Sequence, residues 1–256
     1  SDSRALMNKL CVDLEDRTDL ADIASGLASA SQSKHEDKEL IIGDCARLRP
    51  PLCNNAARVR VAEQVLIYFC ERYECRYLQG LHEILSVLML SQTTQEDVEL
   101  YVCFETFIKK FLPSVLEAKS DMRCMMRVCE LFRLLVLFHD PILMRMLDRA
   151  DVICDIFAFT WFLTFFSSSI SDHNLVQKLW TKWILEDDPL GIVFFALAWL
   201  LHNSKAILDE FDCEKIESGA CSSAELPTFL LSTLDFERHQ FERHEIDDPT
   251  PKSVSS

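Results

Sequence analysis

"RYLQGLHEIL" runs from Arg76 to Leu85, and its apolar residues fall at Leu81, Ile84 and Leu85, continuing to Leu88. That is the spacing of one buried helix face. The same period recurs upstream at Val61, Ala62, Val65, Leu66, Phe69 and Tyr73, and downstream at Leu100, Cys103, Phe104, Phe107, Ile108 and Phe111. It returns through Met125, Val128, Cys129, Phe132, Leu135 and Val136, then through Leu175, Val176, Leu179, Trp180, Trp183 and Ile184. Strand-like alternation is hard to find and only 5 of the 256 residues are glycine. With 49% apolar composition there is material for one large core or two lobes, so the fold class is all-α.

Within this pattern Gln79 and Gly80 stand out. An amide with several hydrogen-bonding groups is a poor packing choice at the mouth of an apolar helix. Gln79 is therefore either solvated or meant for a partner.

Composition removes several functions. A formal charge of -15 repels phosphate backbones, and no Lys/Arg cluster overrides it, which argues against nucleic acid as a partner. The apolar stretches "IFAFTWFLTFF" and "GIVFFALAWLL" are each about half of the ~20 residues that a membrane span requires, and they read as core helices. No secretory leader is visible, although the chain opens abruptly and reads as a piece of something longer. The 11 cysteines are scattered through helical patterns, which predicts reduced thiols acting as small hydrophobes in a cytosolic protein. His239 and His244 are five apart and so do not share a helix face, and no pair of Cys-x-x-Cys motifs exists, so no metal site is expected. Neither G-x-x-x-x-G-K-[ST] nor G-x-G-x-x-G occurs, so the chain itself is not expected to hydrolyse nucleotides.

Along the chain, Ala5 to about Leu27 is weakly helical and "ASASQSKHEDK" (Ala28 to Lys38) reads as a polar linker. Pro50 and Pro51 should stop a short helix near Leu48 or Arg49, placing Arg47 at a helix end. Thr93 and Glu96 form a possible capping box, "HDP" at His139 to Pro141 breaks a helix, and Asp188 with Pro189 suits a helix start. A last helix is predicted from about Pro227, followed by a disordered tail or linker. The organisation predicted is an N-terminal helix and linker over residues 1–40, a core over 41–245 and a tail over 246–256.

In "IIGDCAR", Asp44 and Arg47 are three apart, so on one helical turn the carboxylate can hold the guanidinium in a fixed direction. Ile41, Asp44 and Arg47 reproduce an I-x-x-D-x-x-R motif, and Tyr77, Gln79 and Gly80 a Y-x-Q-G motif. With "WFLTFF" (Trp161 to Phe166) and "LVQKLW" (Leu175 to Trp180) following, the chain resembles the TBC domain of Rab GTPase-activating proteins over roughly Ile41 to Leu201. Three departures from the family pattern stand out: an upstream R-x-x-x-W motif is absent, "RLRP" replaces "RTFP", and Thr181 stands where Asp is common. "LFRLLVLFHDPILMRMLD" and "DDPLGIVFFALAWLLHNSKAIL" look most like the branch with a downstream rhodanese-like domain acting at the Golgi.

The resemblance implies a two-lobed helical domain whose partner is a Rab-family small GTPase, in vesicle traffic. Arg47 and Gln79 would enter the GTPase site as arginine and glutamine fingers. Asp44 would orient Arg47, Ile41 completes the first motif, and Tyr77 and Gly80 would shape the turn that presents Gln79. No cofactor is expected of the chain itself, GTP and Mg belonging to the partner. The alternative is a catalytically silent adaptor that bridges a golgin-type coiled-coil tether and endosome-derived vesicles at the trans-Golgi. Either role places the protein in the cytoplasm, peripheral at Golgi or endosomal vesicles, with no direct membrane insertion.

Overall fold

In a computed structural model the chain is described over residues 2–211, apart from 12–13, 15, 93–95, 117–121 and 189. Eleven α-helices account for most of it: α1 (Asp2–Leu10), α2 (Leu20–Ser29), α3 (Lys38–Cys45), α4 (Ala56–Arg72), α5 (Leu81–Ser91), α6 (Asp97–Phe111), α7 (Arg123–His139), α8 (Pro141–Arg149), α9 (Cys154–Thr164), α10 (His173–Leu185) and α11 (Gly191–Glu210). No strand occurs among the described residues. The all-α expectation holds.

Two helical groups share one core. In the first, α4 and α6 pack face to face, with Phe69 edge-on to Phe104 at 5.1 Å, and α1 lies against α5, α6 and α10. In the second, α7 packs on α8, α9 and α11. Contacts of α5 with both α9 and α10 join them. Trp180 of α10 stacks on Phe107 at 4.7 Å and donates its indole N–H to the Phe165 carbonyl at 2.9 Å, so the aromatic belt continues across the junction. Edge-on and offset aromatic pairs of this kind add to the stabilisation from burial alone.

Local signals account for some of the boundaries. Asn55 caps α4 by accepting from the N–H groups of Ala57 and Arg58, and Asp140 caps α8 ahead of Pro141, as the "HDP" break anticipates. Other expectations are revised. The linker at Ala28 to Lys38 is short, because α2 runs to Ser29, a 3-10 turn follows at Ala30–Gln32, and α3 starts at Lys38. Asp188 does not cap α11 directly; its carboxylate accepts from the Leu190 N–H at 3.0 Å and the helix opens at Gly191. Thr93, Pro189, the helix expected from Pro227 and the tail lie outside the described residues.

Helix α11 is longer than its apolar run, at 20 residues, and by length and composition it could cross a membrane. Its Val193, Ala196, Leu200 and Ile207 are buried, and it packs on α7, α8 and α9, which is the behaviour of a core helix. The reduced-thiol expectation also needs correction at one pair. Cys11 and Cys103 form a disulfide across 92 residues, because α1 packs on α6 and brings their Cα atoms to 5.6 Å. No local pattern in the sequence carries that proximity. Cys45, Cys70 and Cys75 remain buried thiols.

A polar network crosses the first group. Glu105, buried on α6, accepts from Arg17 at 2.6 Å, from the Tyr73 hydroxyl at 2.6 Å and from the Tyr101 hydroxyl at 3.2 Å, with Arg72 3.4 Å away. Arg17 also forks onto Asp19 at 2.8 and 2.7 Å, which ties the segment before α2 to α4 and α6. Burial pushes the Glu105 carboxyl up, but the hydrogen bonds from Tyr73 and Arg17 outweigh it and leave the group below the ordinary carboxylate range. The hydrogen bond with Arg17 likewise holds Asp19 below that range.

A carboxyl whose folded value is depressed contributes stability above its unfolded value and loses it as pH falls through the folded one. The thermal unfolding midpoint is therefore expected to drop steeply as pH falls below about 4. Glu105→Gln keeps the shape but removes the charge that Arg17 and Arg72 face, and should cost roughly 2–4 kcal/mol at neutral pH with a shallower acid limb. Scanning calorimetry across pH on both chains measures the two effects.

Candidate functional site

Helix α3 is short because its last turn tightens. The Ala46 N–H bonds back to Ile42 and the Arg47 N–H to the Asp44 carbonyl at 3.0 Å, so the helix ends at Cys45, just before Arg47. Ile41 and Asp44 both point inward and are fully buried, Ile41 as core packing. The side chain of Arg47 is 67% exposed, and its guanidinium turns back to donate to Asp44 Oδ1. The expected Asp44–Arg47 pair is present, with the carboxylate buried and the guanidinium outside.

The second motif meets the same carboxylate. The Tyr77 hydroxyl donates to Asp44 Oδ2 at 2.9 Å. The Gln79 amide donates to Asp44 Oδ1 at 3.4 Å, a long bond at the limit of useful geometry. Gln79 therefore has an internal partner, though a weak one. It shares that one oxygen with Arg47.

Gly80 follows with φ 115, a left-handed conformation that glycine adopts at no steric cost, and it serves as N-cap of α5. A Cβ there would lie 3.0 Å from the Thr164 methyl, so glycine also permits the close approach of this turn to α9.

Several supports had no sequence signal beyond polarity. Asp37, the residue before α3, accepts in bidentate fashion from Nε and Nη2 of Arg76 at 2.8 and 2.6 Å and from the Tyr77 N–H at 2.9 Å. The Arg76 hydrogen bond keeps the Asp37 carboxyl below its ordinary value. This clamp fastens the Tyr77–Gly80 turn to the start of α3. Arg49 pairs with Glu83 of α5 at 3.0 Å and donates to the Ile170 carbonyl, joining α3's exit to α5 and to the segment after α9. His82 sits behind Tyr77, its Nδ1 3.1 Å from the phenol oxygen. Burial lowers the His82 pKa first, and Arg47 and Arg49 lower it further against the pull of Glu83 and Asp44.

Arg47, Gln79, His82 and Glu83 border an open cleft of about 500 Å³. Arg47, Gln79 and Gly80 form one side, and Phe159, Leu163 and Thr164 of α9 form the other. The rim thus offers a permanently charged planar donor and a neutral amide side by side over a partly apolar wall. Such a surface suits an anionic oxygen cluster far better than a self-contained reaction centre. No group of acidic, histidine or cysteine side chains suited to a metal occurs among the described residues.

Residues 6–208 match the Rab-GTPase-TBC domain family. The chain belongs to that family. The TBC domain is 25% identical over 189 residues to the GTPase-activating protein gyp10 of Schizosaccharomyces pombe, a match that covers 71% of this chain and 48% of that protein. It is 28% identical over 109 residues to a human TBC domain-containing protein kinase-like protein, covering 43% of this chain and 12% of the relative. The chain thus spans half or less of the length of these relatives. Two solved structures share the fold at 15% identity. The Chlamydomonas flagellar RabGAP TBC domain aligns with a TM-score of 0.68 over 91% of this chain and 74% of its own, and the Ypt/Rab-GAP domain of Gyp1p with 0.64 over 83% and 72%.

In this TBC domain Gly80→Ala is expected to cost about 1–2 kcal/mol, from a left-handed backbone that a Cβ disfavours and from crowding against Thr164. Chemical denaturation of the two chains measures it. An unchanged midpoint would show that the turn relaxes freely.

Proposed function

We propose that this domain accelerates GTP hydrolysis by a Rab-family small GTPase, with Arg47 and Gln79 supplied in trans. The observation that carries the reading is that both side chains stand on the rim of one cleft and are held by one oxygen of the buried Asp44. A small GTPase is slow because the attacking water is poorly ordered and charge developing on the phosphate oxygens is poorly neutralised. A guanidinium is permanently ionised and contacts phosphate through a planar fork, so Arg47 meets the charge. An amide accepts from water and donates to a phosphate oxygen without becoming charged, so Gln79 meets the nucleophile.

The parking on Asp44 suits that work. The Gln79 bond is long enough to be exchanged at little cost, and Arg47 is already outside, so the fingers reach the partner without unfolding anything. Tyr77 and Gly80 set the turn, and Ile41 anchors α3 beneath it. Membership of the family and the relation to a yeast GTPase-activating protein support a Rab partner. GTP and Mg would arrive with that partner, and the domain needs no cofactor of its own.

A second reading draws on a different surface. Leu134, Phe138 and Ile142 of α7 and α8 are exposed and line no part of the cleft. A silent adaptor bridging a golgin-type coiled coil and endosome-derived vesicles would use such a face and tolerate loss of both fingers. The Golgi setting, the rhodanese-like branch and a cytoplasmic, peripheral location rest on the sequence resemblance.

Single-turnover GTP hydrolysis by a panel of Rab proteins separates the two. The native chain should accelerate one or a few of them, and Arg47→Ala should remove on the order of 10^3-fold or more of that acceleration. Gln79→Ala should lose most of it, and Arg47→Lys should fail to restore it because lysine keeps the charge without the fork. A folded native chain that accelerates no member of the panel would leave the adaptor reading.

A further inference from the structure

His82 is nearly buried on the first turn of α5, and three of its distances define its chemistry. Its Nδ1 lies 3.1 Å from the Tyr77 hydroxyl and 3.3 Å from Asp44 Oδ2, and its Nε2 lies 3.8 Å from Glu83 at the cleft. The phenol carries one proton. Asp44 Oδ2, 2.9 Å away, is a carboxylate oxygen that can only accept, so it takes that proton. The phenol oxygen is then the acceptor toward His82, and Nδ1 must bear the hydrogen. Two lone pairs would otherwise face each other in a buried site, where an unmade hydrogen bond is most costly.

We infer that His82 is a positioning residue whose Nδ1–H holds the Tyr77 hydroxyl, and through it Asp44, so that Oδ1 remains turned to Arg47 and Gln79. The inference rests on the finger reading for its effect on activity, although the hydrogen-bond relay itself does not. It assigns a task to a residue outside both motifs. Neutral imidazole is the form that suits the relay, since one ring nitrogen donates inward while the other stays unprotonated.

The charged and titratable groups that face His82 are Asp44 and Arg47 at the end of α3, Arg49 beyond it, Tyr77 in the turn and Glu83 on α5 itself. Burial and the two arginines favour the neutral ring at neutral pH. Acidification through its lowered pKa puts a cation against Asp44 Oδ2, beside Arg47. That cation competes with the guanidinium for the one carboxylate and gives Nε2 a proton to offer to Glu83, the partner of Arg49. Finger placement should loosen as pH falls, and tighten again on return.

The test compares the native chain with His82→Asn, whose side-chain amide can place an N–H near the Nδ1 position, and with His82→Leu, which cannot donate. Imidazole 15N shifts read the tautomer, and stimulated GTP hydrolysis is measured at varied GTPase concentration between about pH 5.5 and 8. The expected results are an Nδ1–H tautomer and a kcat for His82→Leu lower by on the order of 10- to 100-fold with KM near native. His82→Asn should recover to within a few fold and lose the native acid limb. An Nε2–H tautomer, or native kcat in a His82→Leu chain that melts normally, would overturn the inference. Should the native chain stimulate no GTPase, the finger reading fails by itself. The tautomer, together with loss of an ordered Arg47 guanidinium NMR signal in His82→Leu but not His82→Asn, would still decide what His82 positions.

Discussion

One buried carboxylate organises the site. Asp44 has no solvent exposure, yet it receives Arg47 and Gln79 on one oxygen and Tyr77 on the other. A buried anion is costly unless its lone pairs are filled, and here each donor that fills one is a group the site must orient. Stabilisation of the fold and placement of the two proposed fingers are therefore the same set of hydrogen bonds. The surrounding structure serves that set: Ile41 roots α3 in the core, the Asp37–Arg76 clamp fixes the turn before α5, and the Arg49–Glu83 pair fixes the exit from α3.

The arrangement also brings two residues 32 positions apart to the rim of one cleft, as the proposed function requires. Arg47 and Gln79 come from separate elements, the end of α3 and the turn before α5. Asp44 joins them. The opposing wall from α9 comes close because Gly80 has no Cβ to hold Thr164 away. A surface built this way is preorganised, which lowers the ordering entropy that a partner would otherwise have to offset on binding.

Much of this was legible in the sequence where the governing interactions are local. Helical periodicity gave the all-α class, and the three-residue spacing of Asp44 and Arg47 gave their pairing, because both depend on neighbours one turn away. The partner of Gln79 was not legible, since Asp44 lies 35 residues away and only the packing of α3 beside α5 brings them together. The same limit hid the Cys11–Cys103 disulfide, the Glu105 network and the role of Asp37, which reads in sequence as the end of a polar linker. His82 gave no signal either, because a histidine on a helix face has no pattern until its neighbours are known.

The central claim is that Arg47 and Gln79 leave one oxygen of Asp44 to act together at a phosphate. The most direct measurement is a crystal structure of the domain with a Rab protein, GDP, Mg and aluminium fluoride standing in for the transferred phosphoryl group. The expected complex has the Arg47 guanidinium on the fluoride and the β-phosphate side, the Gln79 amide on the attacking water, and Tyr77 still bonded to Asp44. A trapped complex in which both side chains remain on Asp44, with the GTPase's own glutamine ordering the water, would contradict it.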